Sequence, residues 1–140
     1  VVEDEVAGRG PLQGLAAGLS ALGARTDVAF VCATDLPFLH PAYVRRVLAG
    51  LGDADIALPV VGGYRQPFAA AYRTALAQRV RDLLATGSTR PADLLAACEV
   101  AVLDEAFLLG DDELRAADPR LESVVGVNDP EEYDRARART

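Results

Sequence analysis

Residues 27–33 form a continuous apolar stretch, "DVAFVCA", that ends in Thr34-Asp35 before the chain turns through "LPFLHP". An uninterrupted apolar run between polar boundaries suits a strand buried on both faces. Asp35 would then stand just past the carboxyl end of that strand. A carboxylate there is a ligand for a hard cation such as magnesium. Turn chemistry offers a second reading, in which Asp35 caps the turn before Pro37.

Three further stretches carry groups suited to the same work. "EDEVAGRGPLQG" places Asp4 ahead of Gly8, Arg9 and Gly10, and Pro11 and Leu12 then open a helical pattern. Glycine permits close backbone approach, and a helix start favours anions or polar ligand edges. A plain glycine turn fits the same residues. "GVNDPEE" carries Asn128 at the start of another helix, where an N-cap is the simple alternative. "GGYRQPF" offers Arg65 and Gln66, or a solvated hairpin tip.

Other chemistries lack their residues. The single His and the two cysteines, Cys32 and Cys98, give no zinc set. Cys32 lies in an apolar run and reads as a small buried thiol. His40 reads as a residue near a helix start. All fourteen basic residues are Arg, so no lysine amine is available for a Schiff base. A net charge of −7 argues against nucleic-acid backbone binding. No run of eighteen apolar residues is present, so no membrane span is expected, and a cytoplasmic location is the default.

The elements that must position these residues alternate. A strand tail at "VVED" leads to a helix over 11–23, with Leu12, Leu15, Leu19 and Leu22 at helical spacing. The strand over 27–33 is followed by a helix over 41–51 and a strand over 56–61. Beyond the Gly62-Gly63 turn come a strand over 66–72, a helix over 74–85 and a short helix over 91–97. A strand "EVAVLD", a helical turn over 112–116, a strand "LESVVGV" and a last helix from Asn128 complete the order. Such alternation predicts an α/β domain, a mainly parallel sheet with helices on both faces. Ligands of open sheets of this kind lie beyond the carboxyl ends of the strands.

In order and spacing, "VVEDEVAGRGPLQGLAAGL", "VAFVCATDLPFLHP", "YRQPFAAAY", "LLATGSTRPADLL" and "VVGVNDPEEY" cover nearly the whole chain. Together they resemble the molybdenum cofactor guanylyltransferases, a branch of the nucleotidyltransferases with a Rossmann-like fold. The resemblance implies an enzyme that joins GMP from GTP to molybdopterin, forming molybdopterin guanine dinucleotide and pyrophosphate, with Mg2+. It implies that Asp35 is the catalytic, metal-binding aspartate. By the same resemblance Asp4, Gly10, Pro11 and Leu12 lie on the nucleotide side, and Asn128 on the pterin and metal side. Molybdenum cofactor-handling proteins are the implied partners.

The chain departs from the family pattern in two places. The family's upstream glycine-rich loop of L-A-G-G type, with its arginine and lysine, has no counterpart, and the first residue is not Met. The expectation is therefore a single nucleotidyltransferase domain over 1–140, N-terminally truncated, lacking its first strand and inactive alone. In the family's N-V-N-T-P stretch, Gly126 stands for the first asparagine and Asp129 for the threonine. A cytidylyltransferase, a sugar-phosphate nucleotidyltransferase and a non-catalytic fragment of the same fold are the alternatives.

Overall fold

Residues 11–23, 25–33, 35–88 and 90–125 are described by the computed structural model. They form helix α1 (Pro11–Leu22), strand β1 (Val28–Cys32), helix α2 (Pro41–Ala49) and strands β2 (Ile56–Val61), β3 (Tyr64–Arg65) and β4 (Ala69–Arg73). A 3-10 turn at Thr74–Leu76 leads into α3 (Ala77–Ala85), then α4 (Pro91–Ala96), β5 (Val100–Leu103), α5 (Glu105–Leu109) and α6 (Asp112–Ala117). A second 3-10 turn spans Glu122–Val124.

The expected α/β class is present, with helices on both faces of a five-stranded sheet. The expectation of a mainly parallel sheet needs correction. Among the described residues, β4 pairs antiparallel with β1 on one side and with β2 on the other. β3 continues the antiparallel pairing along β2, and only β5 pairs with β2 in parallel. The cause is the turn after β2. Gly62 and Gly63 both have positive φ, 61° and 81°, which is what a two-residue hairpin connection demands. So short a connection can only return the chain antiparallel. The alternation still sets direction: β1, β2 and β5 all point the same way, and β4 lies between β1 and β2 against them.

Side chains alternate along the strands and so build two cores. On one face Ala29, Val31, Ile56, Leu58, Ala70 and Tyr72 meet Leu12, Leu15 and Leu19 of α1, Val80 of α3 and Leu94 of α4. On the other, Phe30, Cys32, Ala57, Ala69, Ala71 and Leu103 meet Tyr43 and Val47 of α2, Leu108 of α5 and Leu114 of α6. Fully burying a Leu or Val contributes roughly 1.5–3 kcal/mol, so each layer is a substantial source of stability.

Helix starts follow local chemistry. His40 is extended, and its Nδ1 accepts the N–H of Ala42 at 3.0 Å, with Pro41 in the first turn of α2. Asp104 caps α5 by accepting from Phe107, and Asp111 caps α6 by accepting from Leu114. The helix over 105–109 was not expected from the sequence; it is too short for a 3.6-residue period to show. The expected strand beginning at "LES" is replaced by the second 3-10 turn. Leu121 is left-handed (φ 53°), and the Asp118 carboxylate takes the N–H groups of Glu122 and Ser123, donors that a strand ladder would need. The strand tail at "VVED" and the helix from Asn128 lie outside the described residues.

Candidate functional site

Topology brings Asp35 and the start of α1 to one edge of the sheet. Asp35 sits in the turn just beyond Cys32, where β1 ends. The chain at this point is tied to the β3–β4 junction, because the N–H of Ala33 donates to the carbonyl of Phe68 at 2.9 Å. The ends of β2 and β5 fall on the same side, since both run with β1. At the opposite edge Gly23, just after α1, has Thr74 as a near neighbour, and the N–H of Thr74 donates to Asp27 at the entry to β1. α1 therefore leaves its C-terminus at the entry to β1 and sends its N-terminus, at Pro11, towards the edge that carries Asp35.

Asp35 is half-buried, and its side chain has no hydrogen-bond or ion-pair partner among the described residues. A carboxylate that only capped its turn would hold a nearby N–H, and this one holds none there. It is available to a cation. The described residues contain no cluster of three or more His, Cys, Asp or Glu side chains that would enclose a metal unaided. That donor set still suits magnesium, which keeps several waters and takes one or two carboxylates together with substrate phosphates.

The turn after Asp35 is braced from a distance. Ser123 is fully buried and accepts the N–H of His40 at 3.1 Å; its own hydroxyl donates to Asp118 at 2.6 Å. Asp118, itself buried, also accepts the Glu122 and Ser123 N–H groups. From the sheet side two phenols hold the β3–β4 junction. Tyr43 donates to the carbonyl of Ala69 at 2.8 Å, and Tyr72 donates to that of Pro67 at 2.6 Å. Burial pushes the pKa of both tyrosines well up, aided at Tyr43 by the Asp118 charge and at Tyr72 by Cys98. They are structural donors, not acid–base groups for neutral pH.

The other expected residues divide. The Leu12 side chain is fully buried in the α1 core, so a role for Leu12 at a ligand falls to its backbone N–H, one of the unpaired donors of a first helical turn. Pro11 is the first residue of that helix and has no N–H to offer. Asp4, Gly10 and Asn128 lie outside the described residues. The Ser123–Asp118 brace escaped the sequence reading. Its signal is an Asp placed four and five residues ahead of a Glu-Ser pair, recognisable only once the intended strand is given up. Arg79, Asp55 and Cys98 form a polar cluster, with Arg79 3.4 Å from both partners. It lies where β2 and β5 begin, at the end of the sheet opposite Asp35.

Residues 1–102 match the MobA-like NTP transferase domain, and the chain belongs to that family. A "Probable molybdenum cofactor guanylyltransferase" of Mycobacterium avium (strain 104) is 36% identical over 114 residues, covering 78% of this chain and 57% of that protein. A protein of the same name from Mycobacterium tuberculosis (strain H37Rv) is 37% identical over 102 residues, 71% of this chain and 50% of its own length. The chain thus spans about half the length of these relatives. The fold is similar to that of molybdopterin-guanine dinucleotide biosynthesis protein A from Archaeoglobus fulgidus. The TM-score is 0.73 at 23% identity, over 96% of this chain and 65% of that one. A protein of Aquifex aeolicus is similar at TM-score 0.65 and 20% identity, over 90% and 60% of the two chains. No described helix is long and apolar enough to cross a membrane.

Proposed function

We propose that the protein carrying this chain is a GTP:molybdopterin guanylyltransferase acting in the cytoplasm, where GTP is abundant. A phosphate oxygen of the pterin acceptor attacks the α-phosphorus of GTP in line, the bond to the β-phosphate oxygen breaks, and pyrophosphate leaves. The observation that carries the reading is Asp35: a half-buried carboxylate without a partner among the described residues, at the ligand edge of a MobA-like domain. The names of the curated relatives support the choice of GTP and molybdopterin.

Bound Mg2+, held by Asp35, would supply the positive charge that such a transfer needs. The chain's own part is positioning, which carries most of the catalysis in phosphoryl-type transfers. The first turn of α1 offers backbone N–H groups to the nucleotide; by resemblance to the family, Asp4 and Gly10 also act on the nucleotide and Asn128 on the pterin. The acceptor phosphate is already ionised near neutral pH, so no general base is required. Molybdenum cofactor-handling proteins are the proposed partners.

The test is pyrophosphate release by the full-length protein with molybdopterin and either GTP or CTP. Asp35→Ala should lower the rate by about a hundredfold or more, about 2.7 kcal/mol of barrier, with the circular dichroism unchanged. Activity within about twofold of the parent would remove Asp35 from the reaction, and a clear CTP preference would make the enzyme a cytidylyltransferase.

A further inference from the structure

The hairpin tip over residues 62–65 stands on the same edge as Asp35, but on the β2 side of the sheet. Tyr64 is 76% exposed, the most exposed of the described large apolar side chains. Arg65 beside it is exposed and has no partner among the described residues. Their backbone is nonetheless well held. Gly62 donates its N–H to Glu105 Oε2 at 2.9 Å, Gln66 Nε2 donates to the carbonyl of Tyr64 at 3.2 Å, and the Gln66 N–H donates to Pro59 at 2.9 Å. A planar ring and an unpartnered guanidinium are therefore carried on opposite faces of a hydrogen-bonded hairpin tip. An aromatic face stacks on planar heterocycles, and Arg pairs with phosphate oxygens.

We propose that this tip is the acceptor-recognition arm of the site. The Tyr64 ring stacks on the planar ring system of a phosphorylated heterocyclic acceptor, and the long Arg65 side chain reaches round the hairpin tip from the other face to the acceptor's phosphate. The inference rests on the nucleotidyltransferase reading. It assigns the arm to the acceptor because α1, whose first turn that reading gives to the nucleotide, packs beside β1, whereas the arm pairs with the end of β2. The two substrates then occupy different stretches of the edge that carries Asp35.

The test uses the full-length protein and a pterin bearing a phosphate monoester, followed by its own fluorescence. Tyr64→Ala should weaken pterin binding by about tenfold, and Tyr64→Phe should restore it. Arg65→Ala should weaken binding of the phosphorylated pterin but not of the dephosphorylated one. GTP affinity, read by calorimetry, should stay unchanged in all three variants. Equal pterin binding by Tyr64→Ala and the parent, or no binding by the parent, overturns the proposal. A parallel loss of GTP affinity in Tyr64→Ala overturns it too, by assigning the arm to the nucleotide. Pyrophosphate release by the parent is scored separately. Its absence alongside Tyr64-dependent pterin binding would sink the transfer reading and leave the arm standing.

Discussion

The backbone N–H of His40 is bonded to the hydroxyl of Ser123, 3.1 Å away and 83 residues further along the chain. The hydroxyl has one proton, and its short bond to Asp118 at 2.6 Å claims it, so towards His40 it acts as acceptor. The turn that follows Asp35 is in this way anchored to the far end of the described chain. Ser123→Ala leaves the His40 N–H without its acceptor and takes one donor from a buried carboxylate. The expected cost is about 1–3 kcal/mol. Urea unfolding measures it, and a loss below about 0.5 kcal/mol would show that water replaces the hydroxyl.

Asp35 should behave in the opposite way. Its carboxylate has no described partner to lose, so Asp35→Asn should leave the unfolding midpoint within the range of a neutral surface change, about 0.5 kcal/mol. The same variant should no longer respond to magnesium in the pyrophosphate assay. A strongly destabilised Asp35→Asn protein would mean that the residue supports its turn.

Alkaline pH should unfold the protein through Tyr43 and Tyr72. Both phenols are held above their ordinary value of 10.0, chiefly by burial. In the unfolded chain they lose their protons near pH 10; in the folded chain they keep them beyond it. Their contribution is therefore complete below about pH 10 and is lost as the pH rises towards the folded values. The slope approaches about 1.4 kcal/mol per pH unit for each ring. Urea midpoints followed from about pH 9 to about pH 11 should fall steeply at the top of the range. A flat profile contradicts the burial of the two hydroxyls.

Gly50→Ala should destabilise although its backbone is ordinary (φ −81°). By conformational entropy alone the change would stabilise by about 0.4–1 kcal/mol. The new Cβ, however, would lie 2.7 and 2.8 Å from the two methyls of Leu103 and 3.0 Å from the Phe107 ring. Leu103 is buried, so moving its methyls disturbs the packing around them. Overpacking of this kind costs about 1–3 kcal/mol and should win. Thermal denaturation of the variant decides the sign.

Strand Ile56–Val61 is legible in the sequence because six apolar residues run unbroken between Asp55 and Gly62-Gly63. Asp35 is legible for the same reason: it interrupts the end of a fully apolar strand. The common direction of β1, β2 and β5 can be read from the alternation, whereas the reversed β4 and the strand neighbours cannot, because a glycine hairpin slips β4 between β1 and β2. "LES" misleads because the pattern of apolar residues there is strand-like, while a carboxylate three residues upstream claims its backbone donors. The Ser123 brace joins segments whose pairing no local window contains.

The alanine-lined strand β4 has a further consequence, in the rate at which its amide protons exchange with solvent. Ala70, Ala71 and Tyr72 are almost wholly buried, all three paired with β1, the last two also with β2, and helical layers cover both faces. Exchange at such positions needs global opening, whereas a two-residue strand at a hairpin tip exchanges by local fraying. In a deuterium time course the amides of Ala70, Ala71 and Tyr72 should therefore be the last to label, and those of Tyr64 and Arg65 among the first. The proposed recognition arm, paired with the end of β2, thus opens more readily than the strand that follows it in the chain.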